Sequence, residues 1–375
     1  MKLSIRGQVY EGERSKLLMQ ELPMGSIALL WHEDLDSLTT DALLEKKVKA
    51  VINRKRSMSG RYEHGEVSRL LEAGIAVFDV ANWVGASYLL KNESVWIMNN
   101  RLYLSQNDTF AVIAELDQYD EQRIEELRLR AQTTYQDLLT NFVSNTLEHA
   151  NREAEYFVAP PLIPSCFQQI KSRQVLIVAR HAHYKRDLKA MRRWLVLTNP
   201  LIIAVDGAAD GLLEVGFLPE YIIGDMDSVS DKALQCGAQL ICHTYPDGSS
   251  PGMERLRTIG IEASELSFIG TSEDVAIMSA YWAGAEHLYL IGCRSGMKDF
   301  LEKQRNGMGS SVLARIEAGD RMTDLKGIHQ LFEGTTFSSQ MQRINHDLKE
   351  EWTELRDIVG RGYRLLLKKG AIRHD

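Results

Sequence analysis

Short apolar runs alternate with amphipathic segments in the second half of the chain. The runs are Val175–Val178, Leu201–Val205, Tyr221–Ile223, Gln239–Cys242 and Leu288–Ile291. Segments of helical spacing separate them, such as Tyr184–Leu195, Ala208–Val215 and Asp274–Trp282. Strands that are apolar along their whole length are buried on both faces, as in a parallel sheet covered by helices. The pattern therefore predicts an α/β domain at residues 169–330, with ligands at the carboxyl ends of its strands.

A different mixture of strands and helices occupies residues 1–119. The predicted elements are strands at Ile27–Leu30, Val48–Ile52 and Ile75–Phe78 and helices at Ser37–Lys46 and Val67–Ala73. This order predicts a small N-terminal α/β domain. It also resembles the swivelling phosphohistidine domains of phosphoenolpyruvate-using enzymes.

A long amphipathic segment separates the two predicted domains. Residues 121–155 contain almost no glycine or proline, and apolar residues recur there at helical spacing. Pro160, Pro161 and Pro164 follow, so residues 120–168 are predicted to form one long helix, or two with a small break, and a proline linker. The helix could pair with a second copy of itself as a homo-oligomer or pack against its own domains. Residues 331–375, with Ile344, Leu348 and Trp352 at helical spacing, are predicted to form a helical tail.

Composition narrows the range of functions. The 375 residues include 44 Lys and Arg against 51 Asp and Glu, a net charge of −7. Neutralising nucleic-acid phosphates requires an excess of basic residues, so no nucleic-acid partner is expected. The four cysteines form no metal-like or CxxC spacing, no signal-like start is present, and no apolar run approaches the ~20 residues of a spanning helix. These features predict a cytoplasmic protein without a transmembrane segment.

Carboxylates follow the predicted strands of the second domain. Asp225 and Asp227 come directly after Tyr221–Ile223, and Asp206 and Asp210 come after the preceding strand. Side chains at positions i and i+2 of an extended segment point the same way, so Asp225 and Asp227 can converge on one ion. Mg²⁺ prefers hard oxygen ligands, usually one or two carboxylates with waters and substrate phosphates. The sequence therefore predicts a magnesium–phosphate site at this sheet edge.

Three segments resemble the catalytic domain of thiamine pyrophosphokinases, which transfer a diphosphoryl group from ATP to thiamine with Mg²⁺. They are Asp206–Asp210, Gly224–Ser228 and Ser272–Asp274. The resemblance implies that four aspartates are the catalytic and metal-binding residues, namely Asp206, Asp225, Asp227 and Asp274. It also implies that Mg²⁺ and ATP are the cofactors. The nucleotide-binding positions are then Gly207, Asp210, Gly224, Ser228, Thr271 and Ser272.

Longer strings are similar to the SteA-type cytokinetic ring proteins of bacteria. They are Gly224–Asp231, Tyr245–Gly248, Pro251–Arg255, Gly270–Asp274, Lys303–Met308, Trp31–Asp36 and Ser57–Tyr62. That family joins an N-terminal α/β domain to a thiamine-pyrophosphokinase-like domain. The resemblance implies a role in bacterial cell division, recruitment to the division site and partners in the division machinery.

Three departures from the pyrophosphokinase pattern affect the functional prediction. Ile277 stands where the family often has a lysine, and Gly296–Phe300 keeps an aspartate but lacks the family's arginine and histidine. No β-rich C-terminal domain fits into the last fifty residues. We therefore expect a SteA-type protein that binds Mg²⁺-nucleotide or diphosphate. The alternatives are an active diphosphokinase acting on thiamine or another alcohol, and a scaffold in which the acidic edge is a relic.

Overall fold

The computed structural model describes residues 4–332 apart from residues 14, 85–89, 107–108, 160 and 245–247. Its strands form two sheets, a closed seven-stranded barrel and a separate seven-stranded parallel sheet. The predicted tail at 331–375 lies outside the described residues except for its first two positions. In the described part of the chain, no helix combines the length and the apolar character needed to span a bilayer.

The barrel is formed by the N-terminal third of the chain. Its strands are β1 (Ser4–Gly12), β2 (Ile27–Leu30), β3 (Ala50–Asn53), β4 (Ala76–Trp83), β5 (Lys91–Met98), β6 (Arg101–Gln106) and β7 (Thr109–Gln118). They follow the order β1-β2-β3-β4-β7-β6-β5, and β5 closes the barrel by pairing with β1. β1 to β4 are parallel to one another, whereas β5, β6 and β7 pair antiparallel with their neighbours. The barrel therefore combines an α/β half with a β-meander half.

Burial on two faces explains the continuous apolar strands of the barrel. Ile27 and Leu29 of β2 face the barrel interior, whereas Ala28 and Leu30 pack against the outer helices. These helices are α1 (Ser15–Glu21), α2 (Ser37–Glu45) and α3 (Glu66–Glu72). Asp36 begins α2, because its carboxylate accepts a 2.7 Å hydrogen bond from the Thr39 backbone nitrogen.

Two consecutive helices connect the barrel to the parallel sheet. They are α4 (Glu121–Thr133) and α5 (Tyr135–Val158), so the predicted long helix is interrupted at Thr134. Ile124 of α4 packs into the barrel core, and Phe157 of α5 packs into the core of the parallel sheet. The two helices thus contribute to both cores.

The second sheet is parallel throughout. Its strands are β8 (Gln174–Val178), β9 (Leu201–Val205), β10 (Tyr221–Gly224), β11 (Gln239–Thr244), β12 (Ser264–Ser267), β13 (His287–Ile291) and β14 (Met322–Asp324). Their order is β12-β11-β10-β9-β8-β13-β14. β9 lies between β8 and β10, so the loops after these three strands meet at one edge. This parallel arrangement confirms the prediction from the apolar runs.

Helices cover both faces of the parallel sheet. They are α6 (Tyr184–Ala190), α7 (Arg192–Thr198), α8 (Ala208–Val215), α9 (Asp231–Leu234), α10 (Pro251–Thr258), α11 (Ser272–Trp282) and α13 (Gly309–Ala318), whereas α12 (Met297–Leu301) packs against α5 and the barrel. Val175 and Ile177 of β8 pack on one face, whereas Leu176 and Val178 pack on the other. Burial on both faces therefore accounts for the apolar runs in this half of the chain.

The barrel and the parallel sheet contact each other through the loop after α12. Lys303 donates a 2.7 Å hydrogen bond to Asp36, a buried carboxylate of the barrel. Beside this ion pair, Tyr62 of the barrel packs with Phe142 of α5 and with Phe300 and Leu301 of α12. Burial raises the pKa of Asp36, but the Lys303 ammonium and the nearby His32 more than offset this, so the net pKa lies well below its usual value. The ion pair therefore holds α2 beside the carboxyl edge of the sheet.

Several elements differ from the sequence predictions. The predicted N-terminal α/β domain contains the expected strands β2, β3 and β4 and helices α2 and α3, but it also contains four strands that close a barrel. The helix predicted at Tyr184–Leu195 is divided at Met191 into α6 and α7. The predicted domain boundaries stay a prediction.

Candidate functional site

The Asp206 carboxylate lies against Gly224 at the carboxyl edge of the parallel sheet. Asp206 follows β9, and its backbone adopts a left-handed conformation with φ of 48°. Its carboxylate lies against Gly224, the last residue of β10, so closely that a Cβ built there would be 1.8 Å from Asp206 Oδ1. Gly224 also has φ of 151°, which L side chains rarely adopt. Glycine at this position therefore lets the Asp206 carboxylate approach the β10 loop.

The loop after β10 presents the next two carboxylates differently. Asp225 is half-buried, and its Oδ1 accepts a 3.1 Å hydrogen bond from the Asp227 backbone nitrogen. Asp227 itself is exposed. Between them, Met226 is fully buried, has φ of 59° and donates its backbone N–H to Asp206 Oδ1 at 3.3 Å. The buried methionine thus anchors the loop and keeps Asp225 close to Asp206.

The electrostatics of this pair are unfavourable without a cation. Burial raises the pKa of Asp225 to about 7, and the neighbouring charges of Asp206 and Asp227 add to the shift. A carboxylate that is hard to ionise beside another carboxylate is stabilised by a bound cation, which favours the charged form. The carboxylate oxygens of Asp206 and Asp225 are hard ligands of the type that Mg²⁺ prefers. Among the described residues, however, no three His, Cys, Asp or Glu side chains are arranged to enclose a metal ion by themselves.

Asp274 lies in a different environment from Asp206 and Asp225. It is buried in the first turn of α11, where Oδ2 accepts hydrogen bonds from the Thr271 backbone nitrogen at 2.9 Å and from the Ser310 and Ser311 hydroxyls at 2.8 and 3.0 Å. In return, the Thr271 hydroxyl accepts a bond from the Asp274 backbone nitrogen. This reciprocal arrangement caps α11. These contacts engage the Asp274 carboxylate at the start of α11, and its predicted catalytic and metal-binding role stays a prediction.

A cavity of about 320 Å³ lies at this sheet edge. Six of the predicted site residues line it, namely Asp206, Gly207, Asp225, Ser228, Thr271 and Ser272. Gly207 caps α8 and Thr271 caps α11, so the N-termini of two helices adjoin the same space. Helix N-termini carry partial positive charge and free backbone N–H groups, which favour anions.

Four basic side chains share this cavity with the carboxylates. They are Arg180, Arg294, Lys303 and Arg305. Arg294 pairs with the buried Glu273, and Lys303 pairs with Asp36. Within the part of the chain that the structure describes, the guanidinium groups of Arg180 and Arg305 have no ion-pair partner. Besides the paired Glu273, the cavity therefore contains the carboxylates of Asp206 and Asp225 and the guanidinium groups of Arg180 and Arg305, which are groups of the types that bind cations and phosphates.

Arg180 is positioned by its contact with Gly207. A Cβ built at Gly207 would lie 2.9 Å from an Arg180 guanidinium nitrogen and 2.6 Å from the Ser228 carbonyl oxygen. The Gly207 backbone nitrogen donates a 3.3 Å hydrogen bond to the Ser228 hydroxyl. The absence of a side chain at residue 207 therefore lets the arginine, the serine loop and the start of α8 meet.

The remaining predicted site residues lie at other places. Asp210 accepts hydrogen bonds from the backbone nitrogen and hydroxyl of Ser230, and Asp227 and Asp210 line a neighbouring cleft rather than this cavity. Ile277 is buried in the core beneath the sheet. Asp299 caps α12 and contacts His181 and Lys326 at 3.0 and 2.6 Å. Tyr245–Asp247, part of one motif, lies outside the described residues.

The predicted site residues include none of the four basic residues that line the cavity. Arg294 comes shortly after β13, which is adjacent to β8. Its position after a strand of the sheet could therefore have indicated that it lies at the site. Lys303 and Arg305 come after α12 and belong to the Lys303–Met308 string, but no strand or helix pattern there places them at the sheet edge. They reach it because the loop after α12 folds back between the barrel and the sheet.

Comparisons with known proteins give weak structural neighbours. No family model matches the chain, and no curated protein matches it. The structure of a thiamine pyrophosphokinase from Bacillus subtilis has 17% identity over 40% of this chain, with a TM-score of 0.25, and one from Geobacillus thermodenitrificans has 19% over 40%, with a TM-score of 0.26. A 3-isopropylmalate dehydratase (leuD) from Methanocaldococcus jannaschii has 8% identity over 37% of this chain and 98% of its own, with a TM-score of 0.23. The chain spans 60% and 58% of the two pyrophosphokinase structures. Similarity at this level carries no inference about activity.

Proposed function

We propose that the cavity at the carboxyl edge of the parallel sheet binds Mg²⁺ together with the phosphate chain of a nucleotide. The observation that carries this proposal is the placement of Asp206 and Asp225 in one cavity with Arg180 and Arg305. The carboxylates hold the cation, which in turn neutralises the phosphates, and the guanidinium groups bind the outer phosphate oxygens. The helix N-termini at Gly207 and Thr271 add favourable dipoles.

The contacts favour binding over diphosphoryl transfer. Diphosphoryl transfer depends on cations that neutralise the negative charge developing on the phosphates in the transition state. Ile277 brings only an aliphatic side chain, which is buried in the core. Asp274 is engaged by Thr271, Ser310 and Ser311. A diphosphokinase acting on thiamine or another alcohol therefore has less support than a nucleotide-binding protein.

Within this proposal, the chain acts in bacterial cell division and is recruited to the division site, as the resemblance to SteA-type proteins implies. The motif strings that carry the resemblance include two stretches that meet in the structure. Trp31–Asp36 and Lys303–Met308 are joined by the bond between Asp36 and Lys303. This contact supports the view that Trp31–Asp36 and Lys303–Met308 belong to one functional surface between the barrel and the sheet.

Nucleotide binding should raise the thermal stability of the protein. A ligand at 100 times its Kd stabilises the folded state by about 2.7 kcal/mol, which corresponds to a rise of a few degrees in melting temperature for a protein of this size. We expect this rise with Mg²⁺ and ATP together, and we expect Asp225→Asn to abolish it. Asp117→Asn, at an exposed aspartate of the barrel, is the matched control and should keep the shift. Melting curves that stay the same across nucleotides would remove the proposal.

The contribution of Asp225 to the stability of the ligand-free protein should fall as the pH rises from about 4 to about 7. The pKa of Asp225 is about 7 in the folded state and about 3.9 in an unfolded chain. The folded state therefore binds more protons in this interval, and this contribution falls as the pH increases through it. Asp225→Asn removes this titration, so its melting temperature should exceed that of the wild type at pH 8 and match it at pH 4. Differential scanning calorimetry without Mg²⁺ checks this, and an equal difference at both pH values contradicts it.

The division role requires a cellular test. A fluorescent fusion of the full chain should concentrate at the septum of dividing bacteria, and Asp225→Asn should change the extent of that recruitment if nucleotide binding controls it. The Asp117→Asn fusion serves as the control. A uniform cytoplasmic signal for the wild-type fusion would contradict the division role. It would not bear on nucleotide binding, which the thermal assay tests.

A further inference from the structure

A second and larger cleft of about 640 Å³ lies between the barrel and the parallel sheet. One wall comes from α1 and α2 of the barrel, and the opposite wall comes from α6 and α8 of the sheet. The cleft shares five lining residues with the cavity that holds Asp206 and Asp225, namely Leu38, Arg180, Gly207, Ser228 and Lys303. The two spaces therefore adjoin, and one ligand can extend from one into the other.

The barrel wall of the cleft carries a patch of aliphatic side chains among polar ones, which include Gln20, Thr39, Asp41 and Glu45. Leu38, Ala42 and Leu44 of α2 line it together with Leu17 of α1, and each of them is partly or largely exposed. Leu17 is 51% exposed. These side chains leave apolar area in water that a bound group could cover.

The opposite wall carries hydrogen-bonding groups. His183, Lys185, Arg186 and Asp210 line it. His183 precedes α6 in a left-handed conformation, with φ of 64°. Burial lowers the pKa of His183, so its imidazole is neutral at pH 7 and offers one donor and one acceptor. The cleft thus sets the aliphatic patch of the barrel wall against a polar side.

We propose that this cleft binds the nucleoside part of the nucleotide whose phosphates occupy the neighbouring cavity. The inference rests on the proposed function and adds the barrel as half of the binding site. A base can lay one face on the aliphatic patch while its edge and the ribose hydroxyls meet the polar groups around it and on the opposite wall. A purely aliphatic group would desolvate these polar groups without hydrogen bonds, and a bare phosphate chain would leave the aliphatic patch exposed to water. The volume lies within the range of small-molecule sites.

Lys303 lies where the cleft and the cavity meet. Its ammonium is 2.7 Å from Asp36, the residue that begins α2, so the barrel positions this cation beside the phosphates. The same helix then supplies Leu38, Ala42 and Leu44 to the nucleoside. A single helix of the barrel therefore sets both the charge at the junction and most of the aliphatic patch.

Filling the cleft should separate nucleoside binding from phosphate binding. Ala42→Trp places a large side chain on the aliphatic patch, and Ala73→Trp, at the exposed end of α3, is the matched control. Isothermal titration calorimetry of the full chain with Mg²⁺-ATP and with Mg²⁺-tripolyphosphate measures both affinities. We expect the wild type and Ala73→Trp to bind ATP at least about tenfold more tightly than tripolyphosphate, a difference of about 1.4 kcal/mol. Ala42→Trp should reduce ATP binding to the level of tripolyphosphate and leave tripolyphosphate unchanged.

Each other outcome overturns a distinct part of the account. Equal affinities for the two ligands in the wild type, or an ATP preference that survives in Ala42→Trp, would remove the nucleoside site while leaving the phosphate cavity. Loss of tripolyphosphate binding in Ala42→Trp would also remove it, because the substitution would then act on the whole fold or on the cavity. Binding of neither ligand to the wild type would remove the proposed function itself and the inference with it.

Discussion

Two like-charged side chains held side by side constrain the carboxyl edge of the parallel sheet. The Asp206 carboxylate rests against Gly224, and the buried Met226 holds the following loop so that Asp225 stays beside it. Burial and this neighbour raise the pKa of Asp225 to about 7. The surroundings of Asp225 thus oppose its ionisation, and several residues of the nearby backbone are left-handed. Such an arrangement is typical of a site where a bound ligand offsets the unfavourable charge.

The surrounding fold supplies the complementary charges. The adjacent positions of β8, β9 and β10 bring Arg180, Asp206 and Asp225 to one edge. The loop after α12 adds Lys303 and Arg305, and the barrel holds this loop through Asp36. The cavity therefore depends on both sheets, since removing the barrel would free the loop that carries two of its cations. This dependence links the barrel to the proposed ligand binding even though its own strands lie outside the cavity.

Much of the parallel sheet and the central acidic pair could be predicted from the sequence. Runs such as Leu201–Val205 are buried on both faces, which produces a strong local signal, and Asp206 and Asp225 directly follow such runs. β5 gave no such signal, because its first four residues are exposed and polar and its pairing with β1 spans most of the barrel. Asp274 was grouped with the acidic site by its motif, but its hydroxyl partners at Ser310 and Ser311 are distant in sequence. Contacts of that kind arise from tertiary packing and leave no local pattern.

The most direct test of a cation between Asp206 and Asp225 is a crystal structure grown with Mn²⁺ and a non-hydrolysable ATP analogue. Anomalous scattering at the manganese edge locates the ion independently of the protein density. The account predicts one peak within about 2.3 Å of oxygens from both Asp206 and Asp225, bridged to phosphate oxygens near Arg180. A nucleotide bound elsewhere, or an ion that contacts neither carboxylate, would contradict it.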